Sequence, residues 1–401
     1  MSRRHPVNAR AFGMLCLLAL LAGCSTTVVR TPVAPVVTAP PPVAVVDHWN
    51  FEARPPAERD GYRPPARVAV LLPLSGHLSR AAVPVRDGLL AAYYAESRRH
   101  PELDFYDTAG TPAGALAAYD EAIAAGADFV IGPLGRDEVD ALFRRASRAV
   151  PMLALNRGYA APPPGVASFA LAPEDEGAAA ARYLLSRNAR NVLVVHGPDD
   201  NMRRAASAFG DTLRGNGGEV AATVAMYTPE TSIATALASA TAGGAPVDAV
   251  FLALAPQRIR GVLPQLQAAG LGDRMKVATS QLGSADPASA SRLDYTAEHM
   301  LDGIAFPTTA WSVGHVAGLP SAASAGEMLP SARGPAARLF AFGHDAWLLT
   351  AYLERIARDP QAAIPGATGV LRLGADGNVL RAPAWSTWSG DSILPLANAG
   401  G

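Results

Sequence analysis

The chain of 401 residues is 49% hydrophobic and 17% charged, with a formal net charge of −1; that length and apolar content suit a large core divided between two domains. The near-neutral balance excludes the dense basic surface that nucleic-acid binding requires. Cys16 and Cys24 are the only cysteines and Lys276 the only lysine, which excludes a disulfide framework or a cysteine metal site in the body of the chain and leaves almost all positive charge on arginine.

The first residues read as an export signal. Arg3, Arg4 and Arg10 give a positive start, Ala11 to Ala22 form an apolar run of 12 residues, and Leu21-Ala22-Gly23-Cys24 follows. The run falls short of the roughly 20 residues that span a bilayer as a helix, so residues 1–23 are expected to be removed. The L-A-G-C run resembles the lipobox of bacterial lipoproteins, which implies acylation of Cys24. Ser25, in place of the aspartate of inner-membrane lipoproteins, implies sorting to the outer membrane. Removal of three arginines takes the net charge to −4.

Residues 24–66 read as a lipidated cysteine and a Pro-rich linker, with Pro40-Pro41-Pro42, Pro55-Pro56 and Pro64-Pro65 and no helical period. Extended as polyproline II, the linker reaches at most about 130 Å. Trp49 and Phe51 interrupt it and read as exposed side chains. From Arg67 the pattern changes. Arg67–Leu74, Asp128–Leu134, Pro151–Asn156, Asn191–Gly197, Ala249–Ala255 and Met275–Gln281 are near-continuous apolar runs, as expected of parallel strands covered on both faces. Amphipathic stretches lie between them, and Pro173-Glu174-Asp175-Glu176 has the proline and acids of a helix start. A late helix is expected from Pro335 to Ala357, then a hairpin in which Val370–Leu373 and Val379–Arg381 flank Asp376-Gly377. The predicted organisation is α/β: lobe 1 over 67–171 completed by 335–401, lobe 2 over 172–306, and a flexible loop over 307–334.

Val68 to Gly76, Val85-Arg86-Asp87-Gly88, Asp128 to Leu134, Pro151 to Asn156, Phe169 to Glu176, Phe342-Gly343-His344-Asp345-Ala346 and Gly366-Ala367-Thr368-Gly369 resemble, in that order, the penicillin-binding protein activators, the LppC or LpoA lipoprotein family. The resemblance covers roughly Arg67 to Trp385. It implies a type I periplasmic binding protein fold, two lobes each with a mostly parallel sheet flanked by helices and a cleft between them. It also implies an outer-membrane lipoprotein that binds a class A penicillin-binding protein and stimulates peptidoglycan synthesis. Enteric members place a helical-repeat domain where this chain has its Pro-rich linker, so reach and activation are open to test.

No motif for catalysis is found: G-x-S-x-G, H-E-x-x-H, a Walker P-loop and G-x-G-x-x-G at a strand-to-helix turn do not occur, and His77, His196 and His344 lack ligand spacing. No catalytic residue, metal or cofactor is expected. Parallel sheets place ligands at the carboxyl ends of their strands, so Ser75 and Gly76, Leu134, and Asn156 and Arg157 are the candidate cleft residues. Ser75-Gly76 and Gly132-Pro133 read equally as turn residues, and His344-Asp345 as a packing or interlobe pair. Two functions stay open on these residues: a protein-interaction module acting on a cell-wall synthase, or a solute-binding lipoprotein for an amino acid or another small ligand.

Overall fold

The computed structural model describes residues 49, 51, 54–145, 149–242, 246–284, 299–390 and 392–396; residues 1–23 and Cys24 lie outside the described residues. Lobe 1 opens with β1 (Arg67–Leu72) and runs through α1 (Ser79–Ala95), β2 (Glu102–Asp107), α2 (Pro112–Ala124), β3 (Phe129–Ile131), α3 (Arg136–Phe143), β4 (Met152–Ala154) and β5 (Val166–Ser168). The strands pair in parallel in the order β2-β1-β3-β4-β5. The apolar run of β1 divides with the two-residue period of a strand. Val68, Val70 and Leu72 enter the core with Val85 and Leu89 of α1, whereas Ala69 and Leu71 meet Tyr119 of α2 and Leu142 of α3. Both faces are covered, which is why the run is continuous and not alternating.

The chain crosses to lobe 2 and forms α4 (Pro173–Leu185), β6 (Asn191–His196), α5 (Asp200–Gly215), β7 (Glu219–Ala225), α6 (Ala234–Thr241), β8 (Ala249–Ala253), α7 (Pro256–Ala268), β9 (Met275–Ala278) and β10 (Ala305–Thr308). Strand β8 splits as β1 does: Val250 and Leu252 face one core, Phe251 and Ala253 the other. Short helices α8 (Ala310–Val313) and α9 (Ala322–Met328) lead back to lobe 1. There α10 (Ala336–Arg358) shares the core with α1, beside an antiparallel sheet of β11 (Ile364–Pro365), β12 (Val370–Leu373) and β13 (Val379–Ala382). A third crossing returns the chain to lobe 2, where β14 (Ala384–Ser389) pairs antiparallel with β10 and β15 (Ser392–Pro395) antiparallel with β14, completing the order β15-β14-β10-β9-β8-β6-β7. The fold is the expected two-lobed α/β architecture with parallel-dominated sheets.

The structure corrects three boundaries. Residues 335–401 do not all complete lobe 1, because β14 hydrogen-bonds along β10 of lobe 2 and β15 along β14. Segment 307–334 is not an unstructured loop: it carries α8 and α9, and Trp311, 1% exposed, packs with Val316, Leu319 and Phe340. Small residues there allow close packing around one large ring, which a composition reading treats as loop. The linker reading fails near its end. Phe51 is 3% exposed in the lobe 1 core, Tyr62 is buried, and Arg63 pairs with Glu354 of α10 at 2.6 Å. Trp49 stacks on Phe51 with ring centroids 5.9 Å apart. The expected exposure of Phe51 is overturned because its ring finds an apolar seat beside α10.

Two motif glycines set the spacing of α1 and α10. A Cβ on Gly88 would stand 1.9 Å from the Phe340 carbonyl oxygen, and one on Gly343 would stand 1.9 Å from that of Val85. The helices cross backbone to backbone, a contact that any side chain at these positions would prevent.

Candidate functional site

The candidate cleft residues lie at the carboxyl ends of the lobe 1 strands. After β1 the Ser75 amide donates to Asp107 Oδ1 at 3.2 Å. Gly76 has φ of 78°, and a Cβ there would lie 2.5 Å from the Ala109 carbonyl oxygen, so glycine is required by the turn. Asn156 Nδ2 donates to the Leu134 carbonyl at 2.9 Å, and Asn156 Oδ1 accepts from the Arg157 amide at 2.9 Å. The loops after β3 and β4 are thereby tied together. The structure brings Leu134, Asn156 and Arg157 into one group and holds Ser75 and Gly76 against the loop after β2.

From that group Arg157 reaches into lobe 2, where its Nη2 meets Asp175 Oδ1 at 2.6 Å. This contact belongs to a set that the sequence did not announce. The three successive acids at the start of α4 each take a different arginine: Glu174 takes Arg204 of α5 at 2.8 Å, Asp175 takes Arg157, and Glu176 takes Arg338 of α10. Two of the three arginines come from lobe 1. The acids also face the positive end of their own helix, which favours their charge. Three adjacent carboxylates exceed what a helix start needs, and that excess was the available signal.

Glu176 is buried and fully engaged. It accepts from the Ser280 amide at 3.0 Å, from Ser280 Oγ at 2.8 Å and from Arg338, while Arg338 Nη1 also donates to Ser280 Oγ at 2.7 Å. Burial works to raise its carboxyl, but Arg338, the Ser280 amide and Arg381 outweigh it and hold the group below the ordinary glutamate value. Asp175 goes the other way: burial dominates and raises its carboxyl in spite of Arg157.

Around this cluster lies an interlobe cavity of about 590 Å³. Glu176, Ser280, Thr308 and Ile393 form its lobe 2 wall; Arg338 and Arg381 face them from lobe 1. None of the five candidate cleft residues lines it. Arg381 on β13 is 7% exposed. Its Nη1 makes a long 3.4 Å bond to the Thr368 carbonyl and its Nε has no hydrogen-bond partner. Burial lowers its pKa, and Arg338 adds to the effect.

The Phe-Gly-His-Asp motif serves lobe 1. Asp345 is 0% exposed and accepts from the Ala367 amide at 2.6 Å and from the Thr368 amide and Oγ1 at 2.7 and 2.6 Å. His344 Nδ1 lies 3.1 Å from the same carboxylate. Gly366 has no side chain because a Cβ would sit 2.7 Å from both Asp345 oxygens. The two separated motifs are therefore one packing unit.

The Ser280 hydroxyl sits between Glu176 and Arg338, donating to the first and accepting from the second. Its acid neighbour is held below the ordinary value and is a weak base, Arg338 donates to the same hydroxyl oxygen, and no imidazole lines the cavity. Among the described residues, no group of three or more His, Cys, Asp or Glu side chains could hold a metal ion.

Known proteins agree with this architecture. A penicillin-binding protein activator LpoA from Pasteurella multocida is 26% identical over 337 residues, covering 82% of this chain and 55% of that protein. The chain thus spans about half the length of the curated relatives it matches. The LpoA C-domain of Haemophilus influenzae, described as a regulator of PBP1A, aligns with a TM-score of 0.70 at 21% identity, covering 83% of this chain and 100% of that one. "A putative branched-chain amino acid ABC transporter" from Chromobacterium violaceum aligns with a TM-score of 0.62 at 30% identity, covering 80% and 100%. The family model described as "LppC putative lipoprotein" matches residues 61–390, from the docked end of the linker through β14, and the chain belongs to that family.

Proposed function

We propose that this protein binds a class A penicillin-binding protein and stimulates peptidoglycan synthesis, as a non-catalytic lipoprotein anchored through Cys24 to the periplasmic face of the outer membrane. The family match over residues 61–390 carries the reading, since it takes in both lobes and all three crossings between them. A lipid on Cys24 and a Pro-rich tether of some two dozen residues before Trp49 suit a module that works at a distance from its membrane. Tethering raises the effective concentration, so the contact itself need only be weak. The arrangement of Ser280, Glu176 and Arg338 supports a role without turnover of its own, and Ser75, Gly76, Leu134, Asn156 and Arg157 are proposed as the cleft surface of lobe 1.

The test is direct. The mature chain with Cys24→Ser should bind the periplasmic part of a class A synthase with micromolar affinity, around −8 kcal/mol, and should accelerate glycan polymerisation from lipid II. Calorimetry that shows no binding at tens of micromolar would sink the interaction. Binding without acceleration would sink activation by this chain alone. In cells, Cys24→Ala should move the protein from the membrane fraction to the soluble periplasm.

A further inference from the structure

We infer that the outer edge of β7 is where an extended, acidic segment of a partner protein adds as a further strand to the lobe 2 sheet. The inference rests on the partner reading above and names the surface that carries it. The two large sheets have four outer edges. An exposed edge offers unpaired amides and carbonyls to any other strand, and proteins protect such edges with charge, proline, brevity or cover. Three of the four are protected. β2 carries Glu102, Asp104 and Asp107; β5 has three residues and is bridged at Ser168 by Asn378 of the hairpin; β15 has four exposed residues, the last of them Pro395.

β7 differs. It is the longest strand of its sheet at seven residues, and after Glu219 it reads Val-Ala-Ala-Thr-Val-Ala, with neither charge nor proline. Its one irregularity lies opposite Val192 and Leu193, and from Ala222 to Ala225 it runs in regular register with β6. The Met226 amide turns inward and donates to the His196 carbonyl at 2.8 Å. The two-residue alternation of a strand therefore turns the Thr223 and Ala225 amides outward. β7 has no strand on that side, and no described residue beyond the β6 ladder hydrogen-bonds to these amides.

The bare backbone would accept any strand, and the groove beside it sets the class. Between α5 and β7 lies a cleft of about 270 Å³, lined by Val194, Ala206, Gly210, Val220 and Thr223. A strand laid along β7 projects every second side chain toward α5, so those positions are apolar and fill the cleft. Arg203 and Arg214 also line it; both are more than half exposed, and their ion pairs with Asp200 and Asp211 of the same helix are long, at 3.3 and 3.6 Å. Acidic side chains on the incoming strand complement them. A second copy of the chain would bring an identical cleft and identical arginines, not the side chains and charges that answer them.

The test uses the mature chain with Cys24→Ser and the periplasmic part of a class A synthase, in calorimetry and in hydrogen exchange read at single amides. In the free chain the Thr223 and Ala225 amides should exchange faster than that of Val224, and in the complex both should slow at least tenfold. Thr223→Pro deletes one outward donor and spares the inward ones, a change that edge strands tolerate, and should weaken binding at least tenfold; Thr223→Val keeps the amide and should bind as the wild type does. Because a proline could disturb the sheet, Ser207→Trp, at an exposed position of α5 on the cleft, provides a second route and should weaken binding to the same extent. Absence of any complex overturns the partner reading and this inference with it. A complex that withstands both Thr223→Pro and Ser207→Trp, or leaves the two amides exchanging as in the free chain, overturns the edge assignment alone. Full binding by Arg214→Glu overturns the acidic class. A dimer of the chain by itself that Thr223→Pro dissolves would give the edge to a second copy and overturn the partner assignment.

Discussion

Asp345→Ala should be among the most damaging single substitutions in lobe 1, although the residue touches neither the cavity nor the candidate cleft. Its carboxylate receives the Ala367 and Thr368 amides and the Thr368 hydroxyl at 2.6–2.7 Å, and all three residues are 0% exposed. Truncation leaves two backbone donors buried without acceptors, at about 1–3 kcal/mol each, while the hydroxyl can turn to another acceptor. The expected loss is roughly 3–5 kcal/mol, a large part of the stability of a typical domain. In a lobe of this size that lowers the melting temperature on the order of 10 °C. Calorimetry on the wild type and four variants completes the test. Gly366→Ala should destabilise the wild type, because its Cβ meets both carboxylate oxygens at 2.7 Å, yet cost little when Asp345→Ala has removed them. Such a coupling is what a shared contact produces. Asp345→Asn should fall between, since one end of the amide faces donors with a donor. A loss below about 1 kcal/mol for Asp345→Ala, or strict additivity with Gly366→Ala, would refute the account of the motif as one packing unit.

Other outcomes follow from the same structure. Gly343→Ala places a Cβ 1.9 Å from the Val85 carbonyl oxygen; the helices must part by roughly 1.5 Å, so a loss of about 3 kcal/mol or more should appear in denaturant melts despite the better helix propensity of alanine. Phe51→Ala should cost about 3 kcal/mol and free the end of the tether to protease, whereas a freely exposed Phe51 would show neither effect. The folded carboxyl of Glu176 lies below its ordinary value, so the stability it contributes is complete above that value and is lost as pH falls through the folded one. Glu176→Gln should therefore lower the melting temperature near neutral pH and flatten its acid limb, and an unchanged acid limb would show that Glu176 does not carry it.

The chain-order pattern determined the class of fold. β1 and β8 were legible because each is buried on both faces, so every position after the opening Arg67 of β1 is apolar and no context is needed to recognise them. The start of α4, the late helix and the hairpin around Asp376-Gly377 were legible for a similar reason: a proline with acids, a 3.6-residue period and a tight turn are local signals. The edge strands β2 and β7, with their polar positions half exposed, carried no such signal. Neither did β10, which is four residues long and contains Pro307. Composition could not assign β14 and β15 to a lobe, because only the pairing of β14 with β10, and of β15 with β14, decides it. The site lies still further from local pattern. Glu176 and Arg338 are 162 residues apart, and Arg381 reaches the same cavity from a third part of the chain. A carboxylate near a helix start looks the same in sequence whether water or a buried arginine meets it. Only the approach of the two lobes removes the water, and desolvation then makes the choice of partner matter.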